Sequence, residues 1–285
     1  MNTSLEKLGL MRVMGGIRMG GGKHNNLRYA DDTTLMAESA NDLKRILKKV
    51  KEQSAALGLH LNLTKTKIMT TEELREFKLD NENIEIVDHF NYLGAVFDRN
   101  GGCEREIKRR LGIGRTTMTN LNKVMNDTDV SINTKVRLVN TLVFPTVTYG
   151  SETWTINKSD RKKIDAFELW CWRRLLKIPW TARQTNDFVC DKINPDMSLE
   201  ARIQKHKLSY FGHIMRSGGR MEKSIMLGKT DGKRSRGRPR TRWIDTVTEV
   251  TGESLERLSH LVHDRNKWRQ KIYRVTKSRQ RLDGT

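Results

Sequence analysis

The hydrophobic pattern of this chain changes period once, at the turn-rich stretch Asp98-Arg99-Asn100-Gly101-Gly102. Ahead of it, short apolar runs are punctuated by turn residues and interrupted by a single amphipathic stretch. Behind it, apolar residues recur at steps of three and four. Such a chain folds neither as one uniform bundle nor as one uniform sheet. It requires a strand-bearing α+β part followed by helices.

The first part reads as hairpin, helix, strand, hairpin. Leu27-Arg28-Tyr29-Ala30 leads into Asp31-Asp32, where a tight turn is expected, and Thr33-Thr34-Leu35-Met36-Ala37 leads out. Ser39 opens a helix with Asp42 as its capping-box partner. Leu43, Ile46, Leu47, Val50 and Leu57 line one face, and Gly58 stops it. Lys67-Ile68-Met69 is a strand candidate, and the run Phe90 to Phe97 is bounded by turns.

Asp31 and Asp32 allow two readings. Paired carboxylates behind an aromatic suit metal-dependent nucleotidyl transfer, in which two Mg²⁺ ions about 3.5–4 Å apart hold the attacking hydroxyl and the leaving pyrophosphate in line. The alternative is a surface turn, because aspartate is common there. Strand alternation also sends neighbouring side chains to opposite sides, so only one of the two can point fully into a shared site.

With its flanking motifs, the chain resembles the reverse transcriptase of non-LTR (LINE-type) retrotransposons. Tyr29-Ala30-Asp31-Asp32 matches the catalytic palm hairpin. Gly58-Leu59 through Asn62, with Lys65 and Thr66, is similar to the next palm motif, and Tyr92-Leu93-Gly94 to the hairpin that grips the primer. Val143-Phe144-Pro145, the stretch Ile164 to Leu176, Tyr210-Phe211-Gly212-His213 and Gly237-Arg238-Pro239-Arg240 resemble the C-terminal half of the RTE clade, and most closely its BovB elements. The similarity spans residues 24–281. It implies an α+β fold: a partial palm of antiparallel strands plus one helix, then a mostly helical thumb and a basic helical C-terminal region. It also implies an RNA-directed DNA polymerase using Mg²⁺ on a template–primer duplex, with RNA and DNA, including target DNA, as partners. Asp31 and Asp32 would be metal ligands, and Lys65 the candidate acid for the pyrophosphate. The plainer reading of Lys65 is a solvated lysine beside Lys67.

The family also carries fingers, a palm motif with another metal-binding aspartate, a nucleotide-positioning motif and an endonuclease ahead of this hairpin. The 28 residues before Tyr29 are too few for these. The expectation is therefore a truncated element, inactive alone but binding nucleic acid. An active or complemented polymerase and a pseudogene product without a role are the alternatives. Loss of the upstream palm strands should expose a sheet edge and an apolar face.

Charge points to the same partner independently. Fifty-four Lys+Arg against 34 Asp+Glu give +20, an excess that favours polyanions through counterion release. No apolar run approaches the roughly 20 residues that span a bilayer, and no signal-peptide core is present, so no membrane partner is expected. The reading is an intracellular protein, nuclear or cytoplasmic. Cys103, Cys171 and Cys190 lack zinc-site spacing, and His206 with His213 is more simply structural than metal-binding.

Behind Gly102, Ile107, Leu111, Gly114, Met118, Leu121 and Met125 form a seam, with Lys108, Arg109, Arg110 and Arg115 as candidates to track duplex phosphates. Ser131 to Val143 is a second helix that Pro145 should end or kink, and Ser159 to Leu176 a third. Trp154, Trp170, Trp172 and Trp180 suit either base stacking or the core. Lys229 to Arg242 holds seven Lys/Arg and one acid, with Gly232, Gly237 and Pro239, and reads as a flexible basic loop. Lys233, Arg234, Arg236, Arg238, Arg240 and Arg242 are its nucleic-acid candidates. Arg236-Gly237-Arg238-Pro239 is open to three readings: an AT-hook core, a nuclear-import signal or chance. Arg265 to Arg281 carries eight more Lys/Arg on a helix around Trp268, Ile272 and Val275. The expected divisions are 1–26, a flexible or non-native leader; 27–103, partial palm; 104–180, thumb; and 181–285, basic nucleic-acid-binding region.

Overall fold

Among the described residues, those as far as Gly102 form strands of two to four residues and one amphipathic helix, and those after it are mostly helical. A computed structural model describes residues 16–19, 22–228 and 241–278. They fall into two compact units, Met1–Gly102 with Gly219–Gly237, and Cys103–Gly218 with Arg238–Thr285.

In the first unit, β1 (Ile17–Met19) pairs with β2 (Gly22–His24), and β3 (Asn26–Tyr29) with β4 (Asp32–Leu35), both antiparallel. Helix α1 (Ala40–Ala55) is capped by Ser39, whose hydroxyl accepts from the Asp42 amide at 3.1 Å. Ile46, Leu47 and Val50 are its buried residues. Leu57, expected on that face, lies beyond the helix end and is 47% exposed. Next come β5 (Lys67–Ile68), β6 (Lys78–Leu79), β7 (Glu82–Asn83), β8 (Glu85–Ile86), β9 (His89–Tyr92) and β10 (Ala95–Asp98).

These strands do not build one antiparallel palm sheet. They form five separate two-stranded pairs, of which β5–β8 is parallel. A parallel pair needs a connection of about a dozen residues or more, and the chain between Ile68 and Glu85 supplies one with the β6–β7 hairpin inside it. Leu47, Ile68, Phe77, Leu79 and Ile84 are the core here, with Leu35, Leu61 and Leu63 packed against it. Leu27, Tyr29, Leu59, Leu93 and Phe97 stay exposed, a substantial uncovered apolar surface.

The second unit is held by helices. On α2 (Glu104–Asn120), Ile107, Leu111, Gly114 and Met118 are buried, following the expected seam. At Gly114 an added Cβ would stand 2.4 Å from Val147 Cγ2 and 2.8 Å from Phe167 Cζ. The seam thus uses glycine to bring neighbouring elements close. After α3 (Asn122–Asn126), α4 (Ile132–Leu138) passes into a π-helical turn at Val139–Val143 and then α5 (Phe144–Thr148).

Pro145 therefore does not end the helical path. It sits in the first turn of α5, where its missing N–H costs little, and the widened turn before it makes room for the ring. Helix α6 (Lys158–Leu175) is capped by Asn157 and buries Ile164, Phe167, Cys171, Trp172 and Leu175. It is followed by α7 (Asn186–Ile193) and α8 (Leu199–Arg216); α9 (Arg220–Met226) belongs to the first unit. The second unit closes with α10 (Trp243–Thr251), α11 (Leu255–Leu261) and α12 (Arg265–Ser278). Trp268, Ile272 and Val275 are buried on α12, as its period requires.

Candidate nucleic-acid interface and the paired aspartates

The register of β3 and β4 sets Tyr29 opposite Asp32, leaving Ala30 and Asp31 as a two-residue turn. Ala30 takes φ +52°, a left-handed conformation that costs a residue with a Cβ about 1 kcal/mol. Asp31 and Asp32 both stand exposed at this tip, one in the turn and one opening β4. At the hairpin's other end, Leu35 packs with Ile46 and Val50 of α1 and with Leu61.

Leu61 and Leu63 introduce the loop that carries Lys65. There Asn62 organises a tight turn: its Oδ1 accepts from the Lys65 amide at 3.0 Å and from the Thr64 hydroxyl at 2.8 Å. Its carbonyl accepts from both the amide and the hydroxyl of Thr66. This turn needs Asn at its first position and leaves the Lys65 side chain exposed. The hairpin base and the Lys65 loop thus rest on one small core. Tyr92-Leu93-Gly94 turns a separate hairpin, with φ +49° at Leu93 and +76° at Gly94, supported by the Phe90, Tyr92 and Phe97 rings.

Carboxylate oxygens suit Mg²⁺. Yet among the described residues no group of three or more His, Cys, Asp or Glu is placed to hold a metal ion. The described residues alone do not complete a two-metal site.

Residues 7–97 match the family model described as "Reverse transcriptase (RNA-dependent DNA polymerase)". The aspartate hairpin lies inside that match. The chain is also 28% identical over 282 residues, covering 91% of itself and 99% of the relative, to an uncharacterized transposon-derived protein of Caenorhabditis elegans. The chain is thus similar to a reverse-transcriptase family model over about a third of its length and to a transposon-derived relative over nearly all of it.

The thumb candidates do not form one cationic face. Lys108 and Arg115 are exposed. Arg110, at the buried seam, is 8% exposed, donates to Glu106 Oε1 at 2.7 Å and lies 4.4 Å from the Tyr149 ring centre. Arg109 makes a two-pronged pair with the same Glu106 at 2.8 Å. That pairing raises the Arg109 pKa from its ordinary value. Position i+3 from Ile107 explains Arg110: it shares the helix face that packs inward.

Trp154 and Trp172 are buried, and Trp172 donates Nε1–H to Glu168 at 3.1 Å. Arg115 and Arg174 approach the Trp170 ring, one of the four open to base stacking or the core, at 5.9 and 5.4 Å. The side chain of Trp180 lies outside the described residues, as do Lys233, Arg234, Arg236, Arg238 and Arg240 with all of 229–240. Arg242 is described, and it is bound into the cap of α10 by Asp245 at 2.8 Å. The pair holds the Asp245 carboxyl below its ordinary range.

The His206 ring lies 3.4 Å from the Ser151 hydroxyl, and the protein packed around it lowers its pKa from the ordinary value. His213, two turns on, lines a different cleft. They do not pair on a metal. Their separation leaves the stretch Tyr210 to His213 to be explained by packing. A Cβ at Gly212 would stand 2.2 Å from Trp268 Nε1, so glycine admits that indole against α8. The same cleft holds Arg216, Arg265 and Arg269, which sequence reading did not single out; the i, i+4 spacing of Arg265 and Arg269 was the available signal.

Proposed function

We propose that this chain is a nucleic-acid-binding descendant of a non-LTR retrotransposon reverse transcriptase, of the RTE clade and nearest its BovB elements. Residues 27–103 are then its partial palm, 104–180 its thumb and 181–285 its basic nucleic-acid-binding region. One observation carries this reading: an aspartate-tipped hairpin inside the reverse-transcriptase match is followed, in the same chain, by a helical unit bearing exposed cations. Lys108 and Arg115 remain phosphate contacts in this proposal, with the basic segment 229–242. No helix among the described residues is long and apolar enough to cross a membrane. A nuclear or cytoplasmic site of action goes with the reading.

Catalysis by metals depends on preorganised charge around the reacting phosphates, and two carboxylates at an exposed tip supply only part of it. The chain on its own is therefore proposed to bind without polymerising. Its affinity for an RNA–DNA duplex falls log-linearly with salt, and deleting residues 229–242 flattens the slope. No binding at about 50 mM salt would instead leave a product without this role.

The intact Tyr29-Ala30-Asp31-Asp32 tip favours a second reading, an active or complemented Mg²⁺-dependent polymerase with Lys65 as acid and Tyr92-Leu93-Gly94 on the primer. Primer extension on an RNA template with Mg²⁺ separates the two. Equal signals from the native chain and Asp31→Ala/Asp32→Ala support the binder. Extension that the double substitution abolishes establishes the enzyme.

A further inference from the structure

Of the six cations on α12, three have a side-chain partner, Lys277 by way of the Tyr273 hydroxyl. Lys267 pairs with Asp264 at 3.5 Å, and Lys271 with Glu253 at 2.9 Å. Asp264 also accepts from the Asn266 and Lys267 amides at 3.0 Å, so the start of the helix is capped by an acid. Arg265, Arg269 and Arg274 are exposed and their side chains have no ion-pair or hydrogen-bond partner among the described residues; of these three, Arg265 and Arg269 line a cleft. One turn apart, they border this cleft of about 450 Å³, whose other wall carries His213 and Arg216 from α8.

Trp268 and Ile272 supply its apolar floor. The indole is fixed there, donating Nε1–H to the Leu208 carbonyl at 3.1 Å and packing 5.7 Å from the Phe211 ring. Arg216 is anchored by a 2.8 Å bond from Nη1 to the Val262 carbonyl, which uses one of its five donors and leaves others for a ligand. No acid is among the cleft's described lining residues. Burial, and then the like charges of Arg265 and Arg269, lower the Arg216 pKa from its ordinary value. Three guanidinium groups gathered without a counter-charge repel one another, and an anion in the cleft relieves that repulsion.

A second cleft with Arg173, Arg174 and Lys177 shows the contrast. There the cations are already bonded to the Gln184 carbonyl, Asn122 Oδ1 and the Asn126 carbonyl.

We propose that the cleft between α8 and α12, lined by His213, Arg216, Arg265 and Arg269, is a binding site for backbone phosphate of a nucleic acid. Guanidinium forks match phosphate oxygens in pairs, and the volume admits a phosphate with its flanking sugar. The apolar floor would lie against the sugar, giving contact without choice of sequence. This inference rests on the nucleic-acid reading of the chain and adds a site to it.

Anisotropy of a labelled RNA–DNA duplex across a salt series, using the full chain, tests it. Arg265→Gln/Arg269→Gln is expected to lose about tenfold in affinity near 100 mM salt and to flatten the log–log slope by about two. Lys267→Gln/Lys271→Gln removes the same charge from the same helix but from paired cations, and is expected to change both far less. Equal losses in the two double variants, or none in the first while the native chain binds, overturn the cleft and leave the nucleic-acid reading standing. If the native chain binds no duplex, that reading fails and the cleft is judged alone. Thymidine 3′,5′-bisphosphate is then titrated while the His213 ring signal, assigned with His213→Gln, is followed by NMR. A saturable shift that is lost in Arg265→Gln/Arg269→Gln retains the phosphate site, and no shift removes it. Melting curves verify that each variant folds.

Discussion

The two units are stabilised to very different depths. Among the described residues the first buries seven apolar side chains, Ile46, Leu47, Val50, Ile68, Phe77, Leu79 and Ile84, in two small clusters and leaves Leu27, Tyr29, Leu59, Leu93 and Phe97 largely open. The second has a cluster running from Ile107 to Ile203 that includes Phe144, Phe167 and Trp172. At roughly 1.5–3 kcal/mol for each large apolar side chain buried, the difference is many-fold. The part that carries the polymerase-like motifs is therefore the part with least to hold it, and the part with the deeper core carries the unpaired arginines.

The largest test removes a side chain from the thin core. Leu79→Ala, at a fully buried position, is expected to cost about 3 kcal/mol. The loss should fall on residues 26–98 while the helices of the second unit keep their protection, as measured by amide hydrogen exchange. Equal loss of protection in both would mean that the units unfold as one.

Glu168 provides the counterpart in the deep core. It accepts from the Leu199 amide at 2.7 Å and from Trp172 Nε1 at 3.1 Å, joining α6 to the start of α8. Glu168→Ala strands two buried donors and is expected to cost about 2 kcal/mol, confined to the second unit. Burial raises the Glu168 pKa, against the lowering effect of its two hydrogen bonds and Arg202. The native state thus binds this proton more tightly than the unfolded chain does. Its contribution to stability consequently declines as pH rises from the unfolded pKa towards the raised native one. Chemical denaturation over that interval should show a shallower decline in Glu168→Gln than in the native chain. An unchanged slope would remove Glu168 as its source.

Gly114→Ala is expected to have a smaller effect. The new methyl overlaps Val147 and Phe167, an overpacking cost of about 1–3 kcal/mol, while alanine's better helix propensity returns nearly 1. A net loss of about 1 kcal/mol in the melting of the second unit is expected. A gain would show that α2 can move away from its neighbours without penalty.

What was legible in the sequence follows this division. The seam from Ile107 to Met118 and the buried stripe on α12 could be read because a helix writes its core at regular spacing. Ser39 and Gly58 bracketed α1 for the same reason, through local cap chemistry. The β6–β7 hairpin went unread although Asp80-Asn81 takes φ +49° and +66°, a turn that aspartate and asparagine tolerate. Its strands are two residues long, too short to write an alternation. Pairing of β5 with β8 was illegible because it depends on distant residues. Arg110 was misread as surface, since charge alone does not reveal that Glu106 and Tyr149 await it inside. The arginine cleft escaped because its two walls are about 50 residues apart in sequence.

Local strain provides the finest contrast. In the second unit, left-handed positions at helix ends include Asn194 and Gly252, residues suited to them, although Lys177 and Arg183 share that conformation. In the first, the turns of both motif hairpins place Ala30 and Leu93 there. Neither residue is what turn chemistry selects, and backbone strain of this kind concentrates where geometry serves a function. Ala30→Gly removes the Cβ penalty of about 1 kcal/mol but returns freedom to the unfolded chain worth about 0.4–1 kcal/mol. The two nearly cancel, so the stability of the first unit should rise by about 0.5 kcal/mol or less. Exchange protection at the β3–β4 amides measures it. A gain well above that would mean that the tip holds more strain than one φ angle accounts for. A loss would mean that the alanine methyl makes a contact that stabilises the aspartate turn.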